Sequence, residues 1–241
     1  MKHVLVGIAL VLLCATFPWN SYGVPLLQSS PLSPAGKRTV TGVIKQLGPV
    51  AEARMKQFFV RADIPYPPQR ITFVVLKEEA ELEVWTEKKG KWVHLHTYDV
   101  LGSGGQGPKQ RRGDRQVPEG IYRIVELNPS SRFHLSMKLD YPNSFDLQKA
   151  RDDKRSNLGG DIYIHGKVKS CGCLAVGDRA IEELFVLVAK AGANNVKVII
   201  APHDMRKGSP ALYSSSQPAW LPELYETIGQ ELTKYTGKQG A

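Results

Sequence analysis

The sequence predicts a mostly β domain of the α+β class with flanking helices, on three observations. Short runs of strand character recur from Ile71 to Ile200 with few helical stretches between them. In the clearest run Phe133, Leu135, Met137 and Leu139 are apolar while His134, Ser136 and Lys138 are polar, the period of two of a half-buried strand. A chain of 241 residues with 42% hydrophobic residues is also large enough to bury a core without disulfide staples.

Taken in order, Lys2 and His3 precede an unbroken apolar run from Val4 to Phe17, too short to span a bilayer but of the length of a secretory signal core. Pro18 ends the run, and Ser21 and Gly23 put small residues where a signal peptidase reads, so a signal peptide is expected over 1–23. An uncleaved anchor helix fits less well because the run is short, and lipid attachment through Cys14 fits poorly with Leu13 before it. No transmembrane segment is then expected in the mature chain. Residues 24–37, with Pro25, Pro31, Pro34 and Gly36, read as a flexible linker.

Over 38–68 a helical segment is expected, with Val50 or Ala51, Met55, Phe58 and Phe59 on one face, ending before Pro65, Pro67 and Pro68 and packing on the main domain. A catalytic domain over 69–206 follows. Its strands are Ile71 to Leu76, a hairpin from Glu81 to His96 turning at Lys88-Lys89-Gly90-Lys91, Ile121 to Val125, Phe133 to Leu139, Ile162 to Ile164, and Val196 to Ile200. Asp178 is placed to cap a helix whose inward face is Ile181, Leu184, Phe185 and Val188, with Gly192 near its end. Residues 207–241 are a loop and a terminal helix, Trp220 to Tyr235.

The formal charge of +9 falls to +8 once Lys2 is removed with the signal, and it favours anionic partners. Nucleic acid is the commonest such partner, but an export signal argues against it and for an anionic cell-wall or lipid surface. The segment Gly102-Ser103-Gly104-Gly105-Gln106-Gly107 matches a dinucleotide fingerprint only in letters, since Pro108 and the polar stretch to Arg115 follow where a helix must begin, and it reads as a mobile loop. His94 and His96 read as surface residues on one strand face. His203 beside Asp204 has no motif around it, and Tyr163 and Ile164 read as packing residues.

The sharpest chemical signal lies between Ile162 and Ala175. His165 ends a strand and Cys173 follows eight residues later across a glycine-containing loop, so an imidazole could take the proton of a thiol and leave the nucleophilic thiolate. Backbone N–H groups of Gly172 and Cys173 could face a developing oxyanion. Three other readings stand beside this one. His165, Cys171 and Cys173 could hold a metal, though a fourth ligand and the usual cysteine spacing are missing. Cys171 and Cys173 could be bridged, with strain, or both could be inert thiols.

His165-Gly166 followed by Ser170-x-Gly172-Cys173 resembles the signature of the L,D-transpeptidase catalytic domain, a YkuD-type fold of bacterial cell-wall enzymes. Gly102 to Ile124 resembles that family's substrate-side loop and strand entry, and Tyr141-Pro142-Asn143-Ser144-Phe145-Asp146 resembles a segment of its YafK-like branch. The resemblance covers roughly Ile71 to Arg206 and implies a β-sandwich or barrel-like domain in the periplasm. It implies Cys173 as nucleophile, His165 as base oriented by a backbone carbonyl near Ser170, and Gly172 as an oxyanion donor. Acyl transfer would run through a thioester at the meso-diaminopimelate carbonyl of peptidoglycan stem peptides, with no metal or organic cofactor. Gly104, Gly105, Lys109, Arg111 and Tyr141 are the expected substrate-side residues, and Arg112 and Arg115 join the basic cluster.

Departures from the pattern refine the expectation. Crosslinking members usually carry Arg two residues after the nucleophile, where this chain has Ala175, which favours the branch that hydrolyses the link between peptidoglycan and an outer-membrane lipoprotein. Crosslink formation and an inactive wall-binding protein are the alternatives. That branch often has a cysteine at the position of Val168 and an aliphatic residue at that of Cys171.

Overall fold

The computed structural model describes residues 38–105, 107–208 and 217–237; the expected signal and linker at 1–37 lie outside them. Helix α1, Val40–Ala62, starts where Thr39 Oγ1 accepts the Gly42 amide at 3.0 Å and stops at Asp63, whose left-handed backbone (φ 52°) precedes Pro65. Ala51, Met55 and Phe59 are buried and Val50 is exposed, which decides between the two expected registers of the inward face. Burial of the three is the reason a helix with an internal proline, Pro49, holds in this place.

Eight strands follow: β1 Ile71–Leu76, β2 Glu81–Lys88, β3 Lys91–Asp99, β4 Gly120–Asn128, β5 Ser136–Leu139, β6 Tyr163–His165, β7 Leu174–Ala175 and β8 Val196–Ala201. They form one sheet in the order β3-β2-β1-β8-β4-β5-β6-β7, with β1/β8 and β6/β7 parallel and the other pairs antiparallel. The sheet curls on itself. A register shift between Ile124 and Glu126 bends β4, and beyond β3 the Leu101 amide donates to Ala175 O while the Ala175 amide donates to Gly102 O, both at 2.8 Å. The chain leaving one edge strand thus reaches the other edge strand, which gives the barrel-like form.

Helix α3, Asp178–Ala191, covers one face with Ile181, Leu184, Phe185 and Val188, all fully buried, and α1 lies against it through Arg54, which meets Glu182 at 2.8 Å and Glu183 at 2.6 Å. Helix α4, Leu221–Leu232, covers the other face, its Leu221, Leu224 and Ile228 meeting Val74, Leu76 and Ile199. Covered on both sides, β1 is buried at every position, and apart from Thr72, whose hydroxyl meets Tyr235 OH at 3.0 Å, its residues are apolar. Each such large side chain contributes about 1.5–3 kcal/mol of burial.

Four expectations are corrected. The strand expected from Phe133 begins only at Ser136, because His134 takes a positive φ of 73° and turns the chain; Phe133 is 43% exposed. Gly177, not Asp178, precedes α3, and the Asp178 carboxylate instead accepts the Lys167 amide at 2.8 Å. His94 and His96 are neither surface residues nor on one face. A register shift opposite Val84/Trp85 leaves Leu95 extra, so His94 is buried against Trp85 while His96 stacks on Phe58 at 4.0 Å. Finally, a helix α2, Ser144–Asp152, follows Tyr141-Pro142, capped reciprocally by Asn143 and Asp146.

Candidate active site

Strands β6 and β7 run parallel with Ile164 opposite Leu174 and His165 opposite Ala175. Cys173 immediately precedes β7, at the end where Tyr163 opens β6, and a loop with bends at 166–168 and 171–173 folds back between the two strands. The Gly166 amide donates to Leu135 O at 3.1 Å, which extends the β5–β6 ladder and fixes the turn. No larger residue fits there: a Cβ on Gly166 would lie 2.6 Å from both Phe133 O and Asp178 Oδ1.

His165 is 2% exposed and its Nδ1 lies 2.6 Å from Gly166 O. A carbonyl only accepts, so Nδ1 carries the proton and Nε2 presents a lone pair. Burial pushes the imidazole below its usual range and the Gly166 carbonyl offsets this only in part, so the ring is neutral near pH 7. Phe133 packs on the ring at 4.5 Å, which gives that half-exposed side chain its place. The orienting carbonyl is therefore that of Gly166, not one near Ser170.

The Cys173 thiol donates to Asp161 O at 3.6 Å. Burial raises its pKa above the ordinary value, while a backbone hydrogen bond from the Tyr163 side and the charge of Lys109 pull it down. Ser170 brackets the nucleophile candidate: its Oγ donates to Cys173 O at 2.7 Å and accepts the Cys173 amide at 2.8 Å. The Cys173 N–H, one of the two expected oxyanion donors, is thus bonded to Ser170. Gly172 is buried at φ 110°, a conformation that favours glycine, and an added Cβ would meet the Arg115–Gln116 backbone at 3.4 Å.

The glycine segment is held, not loose. Gly104 sits so tightly against the Arg115–Val117 backbone that a Cβ would collide with it, and Gly102 likewise meets Val168 O. Below it Lys77 Nζ donates to Gly107 O and to Glu119 Oε1, each at 2.7 Å, and Tyr225 donates to Glu119 Oε2 at 2.7 Å. Gly104, Gly105 and Glu119 line a cavity of about 200 Å³ there. Sequence reasoning missed this buried Lys77–Glu119 pair, since residues 42 positions apart carry no local signal.

Two expected substrate-side residues turn out to be tied to the fold. Lys109 is buried and donates to Asp114 Oδ1 at 2.6 Å and to Arg111 O at 3.0 Å. Asp114 also accepts the amides of Gln110, Arg111 and Gln116, and these bonds outweigh burial and lower its pKa. Tyr141 is 5% exposed with its hydroxyl on Leu158 O at 3.2 Å. Arg111, Arg112 and Arg115 remain exposed around the loop. Asp204 beside His203 is bound by Arg206 at 2.6 Å. Among the described residues no three His, Cys, Asp or Glu side chains form a metal-binding group, and no helix is long and apolar enough to cross a membrane.

Residues 69–200 match the family model described as "YkuD: L,D-transpeptidase catalytic domain". The chain belongs to the L,D-transpeptidase catalytic domain family. Over 137 residues it is 34% identical to "Putative L,D-transpeptidase YafK" of Escherichia coli (strain K12), and equally to the protein of that name from Escherichia coli O157:H7. These alignments cover 54% of this chain and 53% of the relative, so the chain spans about half the length of the curated relatives it matches. Solved structures of similar fold include the helical cell shape determining protein Pgp2 of Campylobacter jejuni, at TM-score 0.47 and 22% identity, covering 56% of this chain and 48% of that one. Another is L,D-transpeptidase 1 of Mycobacterium tuberculosis, at TM-score 0.32 and 11% identity, covering 54% and 61%.

Proposed function

We propose that the protein is an exported, periplasmic cysteine acyl-transfer enzyme acting on peptidoglycan stem peptides, and that its reaction is hydrolysis of the bond joining an outer-membrane lipoprotein to meso-diaminopimelate. The observation that supports this reading is the parallel pairing of β6, which ends in His165, with β7, which Cys173 immediately precedes, within a domain of the L,D-transpeptidase family.

In this mechanism the Cys173 side chain leaves Asp161 O and turns toward His165, whose Nε2 takes the thiol proton. The sulfur attacks the carbonyl carbon, with the Gly172 amide as the donor to the oxyanion, since Ser170 holds the Cys173 amide. Collapse breaks the C–N bond and His165 returns the proton to the leaving amine. Water then attacks the thioester, gives a proton to His165, and the carboxylate and the free thiol are released. Exposed Arg111, Arg112 and Arg115 supply positive charge for the carboxylates of the stem peptide. Water as the acceptor is supported by Ala175, which is fully buried and stands where crosslinking members usually carry arginine.

The test is mass spectrometry of sacculi bearing covalently attached lipoprotein, incubated with the protein and with Cys173→Ala. Release of lipoprotein that vanishes in Cys173→Ala supports the hydrolase. New dimeric muropeptides mean crosslink formation, and no change in any sample means a wall-binding protein without catalysis.

A further inference from the structure

Cys171 occupies a position with no part in the mechanism above. It is exposed, its thiol is free, and one glycine separates it from Cys173. Two residues of chain span at most about 7 Å between Cα atoms when fully extended, and here the chain is not extended: it bends at Cys171, Gly172 and Cys173 in succession, with Gly172 at φ 110°. That brings the two Cα atoms toward the range of about 4.4–6.8 Å that a disulfide requires. The bend is built in. Gly172 is buried in a backbone conformation that favours glycine, and Ser170 Oγ clasps both the amide and the carbonyl of Cys173, so the pair stays together while the exposed Cys171 meets solvent.

We infer that Cys171 is an oxidation site that switches the enzyme off reversibly by bonding to Cys173. A hydroperoxide transfers one oxygen to the exposed Cys171 sulfur and leaves as the alcohol or water, giving a sulfenic acid. The Cys173 sulfur then attacks the Cys171 sulfur; the S–O bond breaks, the S–S bond forms, and the two thiol protons end in water and the reduced peroxide. Both sulfurs are oxidised and the peroxide oxygen is reduced. The bridged Cys173 has no lone thiol to attack a carbonyl. A ring closed over a single intervening residue is strained, which makes the bond easily reduced by an external dithiol and suits a switch more than a structural staple. The bridge also shields Cys173 from sulfinic acid, from which no thiol reductant recovers it.

The inference concerns the site of the proposed function but is read without it. The full chain carrying Cys14→Ser is titrated with hydrogen peroxide and analysed by intact mass and by alkylation, alongside the same chain with Cys171→Ser. The expected result is a mass loss of two hydrogens in the monomer, protection of both thiols from alkylation, and full recovery with dithiothreitol. The Cys171→Ser chain keeps its lipoprotein-releasing activity but instead gains oxygen atoms on Cys173 that dithiothreitol does not remove. Gain of oxygen by the parent chain without a bond, a disulfide found only between two chains, or identical recovery in Cys171→Ser would each overturn the inference. Release of lipoprotein by Cys173→Ala would overturn the proposed function and leave the mass result standing.

Discussion

At the scale of single residues, the candidate centre holds a neutral thiol and a neutral imidazole. Burial holds His165 below its usual pKa and Cys173 above its ordinary value of 9.0, so neither is charged near pH 7. Because the folded chain binds the His165 proton less readily than the unfolded chain, the stability due to the neutral ring is intact above about pH 6.5 and drains as pH falls below it. For activity the same shifts predict an acid limb below pH 6.5 and a Cys173 alkylation rate that keeps rising through pH 9. An acid limb above pH 6.5, or alkylation already maximal at pH 7, would point to a preformed ion pair instead. His165→Ala should lower kcat/KM by about 10²–10⁴-fold with the fold intact by circular dichroism. Ser170→Ala removes both bonds around Cys173 and should cost about 1–3 kcal/mol in denaturant melts, with a lower kcat. In the sequence, spacing and the neighbouring glycines marked Cys173 and His165 as one of four readings, and the family resemblance singled them out. The burial of Lys109 and Tyr141 was not legible, because charge and position along the chain do not tell which buried acceptor, Asp114 or Leu158 O, a side chain will find after folding.

At the scale of elements, the end of the glycine segment at Gly107 is tied to the core through Lys77 and Glu119. Lys77→Met strands a buried carboxylate and should destabilise the protein by about 3–5 kcal/mol, whereas Lys77→Met with Glu119→Leu should recover much of that loss; equal costs would show that the pair does not act together. Gly104→Ala should cost about 1–3 kcal/mol by overpacking against Arg115–Val117, and it should raise KM more than an alanine at open Gly160. Most elements were readable from pattern: β1 coincides with the β-rich run Ile71 to Leu76, and α3 buries the four residues expected of its face. Where reading failed, a single backbone event intervened. The positive φ at His134 shortened β5, and the extra residue at Leu95 sent His94 and His96 to opposite faces, neither of which changes the hydrophobic pattern. Helix α2 did leave a signal, the Asn143-x-x-Asp146 capping pattern just before it.

For the whole molecule, closure of the sheet and construction of the site are one event. The pairing of Gly102 with Ala175 joins the two sheet edges and sets the glycine segment beside the loop that carries Cys173. The last helix takes part from the opposite face. Arg206 ties Glu83 on β2, Asp204 and the Tyr235 carbonyl together, and Tyr225 reaches Glu119 beneath the glycine segment. Tyr225→Phe should therefore raise KM several-fold while leaving the fold intact by circular dichroism, although α4 forms none of the motif; unchanged kinetics would show that the helix only covers the sheet. None of this long-range closure was visible in the sequence, because it depends on pairings between residues more than 70 positions apart. In the proposed function Cys173 opens an acyl bond in the wall with water as final acceptor. Intact-protein mass spectrometry during incubation with lipoprotein-bearing sacculi follows that step on the enzyme itself. A transient stem-peptide adduct on Cys173 that decays to free enzyme as lipoprotein is released, and that is absent in Cys173→Ala, is the predicted result; lipoprotein release undiminished in Cys173→Ala would contradict it.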